Sequence, residues 1–99
     1  MSDKASAFDG RAQAVTEITN QRGLHARASA KFVGAVGRYA CEVTVTKDGT
    51  SVSGRSIMGL MMLGAGKGST IEILTEGGDA REAMRELLDL IRSKFHEDQ

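Results

Sequence analysis

In the segment Gly23-Leu24-His25-Ala26-Arg27 a histidine stands two residues before an arginine, at the point where a strand-like pattern gives way to a helical one. A side chain at a helix start faces backbone amides that have no partner inside the helix, and the helix macrodipole adds about half a positive charge there. Arg27 supplies a guanidinium whose fork fits phosphate oxygens, and Arg22 supplies a second positive charge. Imidazole keeps a nucleophilic lone pair near physiological pH, and its phosphorylated form is reactive enough to pass the group onward. A histidine on an anion-binding helix terminus therefore points to phosphoryl carriage. The plainer reading of the same spacing is a surface histidine that happens to precede a helix.

Other residue groups offer less. Gly66-Lys67 lies in a glycine-rich loop, but Gly68 stands where a phosphate-binding loop needs Ser or Thr, and Met61 stands where it needs its leading glycine. That loop also runs into a strand, whereas a phosphate cradle must open a helix. His25 and His96 have no carboxylate pair at metal-ligand spacing, so neither a metal nor a cofactor is expected. Cys41 is the single cysteine and reads as a buried thiol in a strand with no chemical role.

The elements that must position His25 follow from periodicity. Ala14, Thr16 and Ile18 alternate with Val15, Glu17 and Thr19 as a first strand. Ala26, Ala30, Val33 and Val36, with Phe32 beside them, predict a helix ending near Gly37. Cys41, Val43 and Val45 form a second strand, and Asp48-Gly49 turns it into a third that contains Val52. Ser56 suits the N-cap of a short helix stopped by Gly64. Ile71 and Ile73 mark a fourth strand closed by Gly77-Gly78. Asp79 with Glu82 imitates a capping box, after which Ala80, Ala83, Met84, Leu87, Leu88, Ile91 and Phe95 trace one apolar stripe. The order β-α-β-β-α-β-α predicts an α+β fold, a four-stranded antiparallel sheet with three helices on one face.

The chain has 99 residues, enough for one domain, with 40% hydrophobic, 4% aromatic and 26% charged residues, so its core must be aliphatic. Thirteen basic and thirteen acidic side chains cancel, which disfavours nucleic acid or an anionic membrane as a partner. The longest largely apolar stretch, Ile57 to Ala65, is nine residues, against the roughly 20 that cross a bilayer. Residues 1–11 hold no apolar run and read as a flexible leader rather than a secretory signal. Residues 12–95 form the expected domain, residues 96–99 a polar tail in which His96 is frayed, and the expected location is cytoplasmic.

Gly-Leu-His-Ala-Arg at residues 23–27 and Gly-Arg-Ser-Ile-Met-Gly-Leu-Met at 54–61, followed by Leu63-Gly64 in this element order, resemble the HPr family. These are the histidine-containing phosphocarriers of the bacterial phosphoenolpyruvate-dependent phosphotransferase system, and the resemblance covers residues 12–95. Glu17-Ile18-Thr19-Asn20 is similar to the nitrogen-related branch. The resemblance implies an HPr-like open-faced sandwich in which His25 accepts a phosphoryl group on Nδ1 from phosphorylated enzyme I and hands it to a IIA-type protein. Arg27 steadies the phosphate, and the chain is a monomeric carrier rather than an independent catalyst.

A carrier that docks two proteins over one histidine needs an exposed apolar patch. Leu24, Ile57, Met58 and Met61 are the expected contacts, with Leu60 and Leu63 turned to the core; packing of the whole short helix into the core is the competing reading. The serine matching Ser56 is phosphorylated by an HPr kinase/phosphorylase in regulated relatives, whereas its minimal role is the helix cap. A different class of function, a regulatory binding module acting through the Ser56 face without phosphoryl relay, uses the same surface. Ala28 departs from the family, which usually has proline there, and this chain has no proline. With His25 as N-cap, the amide of Ala28 is expected to donate to Nδ1 of His25 in the resting state.

Overall fold

The structure is a computed structural model that describes residues 10–97. The chain runs through β1 (Arg11–Glu17), α1 (Ala26–Val36), β2 (Glu42–Lys47), β3 (Thr50–Ser53), α2 (Ile57–Met62), β4 (Thr70–Glu76) and α3 (Ala80–Arg92), and ends in a single 3-10 turn, Lys94–His96. The strands form one antiparallel sheet in the order β1-β4-β2-β3. The α+β architecture read from the periodicity is the one observed. β4 is central, and Ile71, Ile73 and Thr75 along it are buried. Asp48 (φ 49°) and Gly49 (φ 83°) make the two-residue turn between β2 and β3.

α1 is rotated from the expected stripe. Its buried face is Ala28, Ser29, Phe32, Ala35 and Val36, while Ala26 and Ala30 are exposed and Val33 is half-buried. Phe32 explains the difference. It is fully buried, its area exceeds that of any alanine, and Ala28 and Val36 lie one turn to either side on the same face. In α3 the buried set is Ala80, Ala83, Met84, Leu87, Leu90 and Ile91, so Leu90 takes the place expected of Leu88, which is half-buried. The capping box at Asp79 does not form. The Asp79 side chain makes no cap bond, and its Oδ2 instead accepts from the Ala40 amide at 2.8 Å, tying the loop before β2 to the start of α3.

The ends of the folded unit also differ from expectation. Arg11, assigned to the leader, is the first residue of β1 and pairs with Glu76; the leader proper, residues 1–9, lies outside the described residues. Beyond α3, Lys94, Phe95 and His96 all have left-handed backbone, with φ of 57°, 57° and 58°. Such residues cost about 1–2 kcal/mol each. Full burial of Phe95, worth about 1.5–3 kcal/mol, offsets part of that cost, and Lys31 Nζ donates to the Phe95 carbonyl. The segment read as a frayed tail is therefore folded through Glu97, although His96 itself is exposed. Residues 98–99 lie outside the described residues.

Candidate functional site

The histidine site is built by three segments far apart in sequence. The turn at Gly23 comes first. Its amide donates to the Asn20 carbonyl at 3.2 Å, and the next amide, Leu24, donates to the Ala65 carbonyl at 2.9 Å. The chain approaches the 65–66 loop so closely that a Cβ on Gly23 would lie 2.3 Å from the Ala65 oxygen. Leu24 then inserts into the core at 5% exposure. This corrects its assignment to the docking surface: it anchors the turn from inside, and its side chain has almost no area to offer a partner.

His25 follows as the N-cap of α1 in extended backbone (φ −74°, ψ −178°). Its Nδ1 accepts from the Arg27 amide at 3.3 Å. The expected donor, Ala28, is not the one used; in this backbone conformation the cap side chain meets the second helical amide rather than the third. The methyl of Ala28 points into the core, fully buried. The helix itself leaves the amides of Ala26, Arg27 and Ala28 without an intrahelical acceptor. Arg22 and Arg27 are exposed.

The other ring nitrogen of His25 has a partner that sequence reasoning missed. Nε2 lies 2.6 Å from Oε2 of Glu97, whose side chain is only 6% exposed. The second oxygen, Oε1, accepts from Asn20 Nδ2 at 3.2 Å, and Nδ2 also donates to the Gly23 carbonyl at 2.8 Å. Burial pushes the Glu97 carboxyl up, but the bonds from His25 and Asn20 and the nearby charges of His25 and Lys31 outweigh it, and the group lies below the usual carboxylate range. Asn20 stands in the quoted motif without an assigned role, and nothing in the spacing links His25 to a residue 72 positions away.

Ser56 caps α2 as expected, its Oγ accepting from the Gly59 amide at 2.9 Å. Ser56→Ala should therefore lower stability by about 1 kcal/mol, read as a shift in the urea midpoint; an unchanged midpoint would mean that the cap contributes nothing. On α2, Ile57, Met58 and Met61 are exposed while Leu60 and Leu63 are buried. Met62, not assigned from sequence, is the most exposed of the group at 80%. Cys41 is a free, buried thiol. Burial pushes it up; Arg55 opposes this, and Asp79 and Glu42 reinforce it.

Among the described residues no group of three or more His, Cys, Asp or Glu is placed to hold a metal, and no helix is long and apolar enough to cross a membrane.

Comparison with known proteins matches residues 12–93 to the family model described as the PTS HPr component phosphorylation site. The phosphocarrier protein HPr of Neisseria meningitidis is 56% identical over 81 residues, 82% of this chain and 91% of that protein. The HPr-like protein Crh of Halalkalibacterium halodurans is 45% identical over 78 residues, 79% of this chain and 93% of that protein. Among solved structures, HPr from Thermoanaerobacter tengcongensis superposes with a TM-score of 0.85 at 41% identity, covering 89% of this chain and 99% of that one. With both sequence motifs, the fold and these matches in agreement, the chain belongs to the HPr family and is a phosphocarrier protein rather than an enzyme.

Proposed function

We propose that His25 receives its phosphoryl group from phosphorylated enzyme I and donates it to a IIA-type protein, in a cytoplasmic relay. The observation that carries this reading is the orientation of the ring. Nδ1 faces the Arg27 amide at the helix N-terminus, so it holds a lone pair and no proton. In the transfer that lone pair attacks phosphorus, the P–N bond of the donor phosphohistidine breaks, and its electron pair returns to the donor imidazole. No base is required to prepare the nucleophile. The Arg27 amide lies on that side of the ring, and the exposed Arg27 side chain, two residues from His25, supplies the guanidinium that grips the arriving phosphate oxygens. Incubation with phosphoenolpyruvate and a bacterial enzyme I, followed by intact mass measurement, tests it: one acid-labile, alkali-stable phosphoryl group is expected, and a chain that gains none overturns the reading.

Both partners dock over the same histidine, and α2 offers them Ile57, Met58 and Met61, with Met62 extending the apolar surface. Methionine adapts to differently shaped partners. At 69% exposure Met58 can become charged without entering the core. Met58→Glu should weaken enzyme I binding by about tenfold or more, a loss of at least 1.4 kcal/mol, and leave Tm within a degree or two. A large fall in Tm, or unchanged binding, would remove Met58 from the docking face. Ser56 is the regulatory position in this reading. A phosphate there adds about −1.5 to −2 charge next to that face, and an HPr kinase/phosphorylase is the class of enzyme that places it.

A further inference from the structure

We propose that Glu97 is a positioning residue for His25: it holds the ring in the tautomer that leaves the lone pair on Nδ1, and its charge balances the one the ring acquires on phosphorylation. The second half of this rests on the carrier reading above; the first half does not.

A carboxylate with its pKa held down is ionised at neutral pH and can only accept hydrogen bonds. At 2.6 Å from Oε2, Nε2 must then be the donor, and so carries the ring proton. Nδ1, with an amide N–H directed at it, carries none. The two contacts independently select one tautomer.

The carboxylate is itself fixed. Asn20 is fully buried, and its Nδ2 bridges the Gly23 carbonyl and Glu97 Oε1. Reversing that amide would set its oxygen against two acceptors, so the orientation is determined by its neighbours. The backbone that delivers Glu97 is equally constrained, since the three left-handed residues before it are pinned by the buried Phe95 ring and by Lys31 on the Phe95 carbonyl. A strained turn held in place this way, with a buried acid at its end aimed at the nucleophile, suits a positional task.

The chemistry follows. When the Nδ1 lone pair forms the P–N bond, the ring still holds its Nε2 proton and becomes a phosphoimidazolium. Its positive charge develops 2.6 Å from a carboxylate, and that charge disappears when the phosphoryl group leaves for the acceptor. Glu97 therefore favours the loaded carrier over the empty one.

The test uses the full chain and its Glu97→Gln and Glu97→Ala variants, with 15N shifts of the His25 ring read by NMR and phosphoryl acceptance from enzyme I measured in parallel. In the parent the ring should show the Nε2–H form alone when neutral. Glu97→Ala should mix the two tautomers and slow acceptance by about tenfold or more, the scale on which removing the carboxylate partner of a functional histidine acts in metal sites. Glu97→Gln keeps an acceptor oxygen but no charge, so it should retain the tautomer while lowering the equilibrium phosphorylated fraction. An Ala variant with the parent's ring shifts and the parent's rate overturns the proposal. A Gln variant indistinguishable from the parent in loading overturns the charge-balancing role. A parent chain that accepts no phosphoryl group defeats the carrier reading instead, and the ring shifts still decide the tautomer.

Discussion

With phosphoenolpyruvate and enzyme I present, His25→Asn is expected to gain no phosphoryl group while keeping the fold of the parent. Asparagine is chosen because it is among the best N-cap residues, so it can take over the bond from the Arg27 amide that Nδ1 makes in the parent. It supplies no imidazole, and a carboxamide cannot form the phosphoramidate. It is also too short to reach Glu97, which is left with Asn20 as its side-chain donor. One charge-assisted bond lost from a buried carboxylate is worth about 1.5–3 kcal/mol, enough to lower Tm without unfolding the domain. The expected result is a folded protein with complete loss of acceptance. His96 provides the internal control, since it is exposed and one residue from Glu97. An acid-labile phosphate still found on the variant would move the acceptor to His96 and end the assignment of His25.

How much of this could be seen in the sequence depends on how local each feature is. The β2–β3 hairpin, β4, the Asp48-Gly49 turn and the Ser56 cap are encoded within a few residues of themselves and occur where the pattern puts them, whereas β1 begins at Arg11, three residues before the expected alternation, and ends at Glu17, short of Ile18 and Thr19. The facing of α2 was equally legible, because Leu60 and Leu63 lie one helical turn apart and so share one face, while Met58 and Met61 lie one turn apart on another. The rotation of α1 was not, because counting apolar positions treats Ala30 and Phe32 alike when area decides which of them is buried. The Asp79 cap failed for a related reason: a tertiary acceptor role toward Ala40 competes with the local one. Half of the histidine site was visible, the half made by the helix start. The other half comes from Glu97, delivered by a left-handed run of Lys94, Phe95 and His96 that no propensity favours. Contacts from distant parts of the chain hold that turn: the burial of Phe95 among the other core side chains, the Lys31 bond to its carbonyl and the Glu97 bond to His25.

Gly23→Ala is expected to damage both the fold and phosphoryl acceptance, and Gly64→Ala shows why. Both glycines sit in left-handed backbone at nearly the same angle, φ 64° and 66°. A β-carbon at Gly64 meets nothing within 4 Å, so that variant carries only the backbone cost of about 1–2 kcal/mol. At Gly23 the same carbon lies 2.3 Å from the Ala65 oxygen and 2.6 Å from the Gly66 Cα. Both are backbone atoms, with no side chain to swing aside, so the two segments must separate. Their separation breaks the Leu24 amide bond to Ala65, worth about 0.5–1.5 kcal/mol, and moves the carbonyl that holds Asn20. The backbone cost and the lost bond together come to roughly 1.5–3.5 kcal/mol, or roughly 6–28 °C in Tm for a domain of this size. The functional loss follows from position. Leu24, Asn20 and the cap residue His25 all hang from this turn, so displacing it moves both the Nδ1 face and the Nε2 partner of the ring. Acceptance should fall in Gly23→Ala even at temperatures where the variant is fully folded, and should stay near the parent's in Gly64→Ala. Equal Tm values for the two variants would show that the close approach of the 65–66 loop is not what holds the histidine in place.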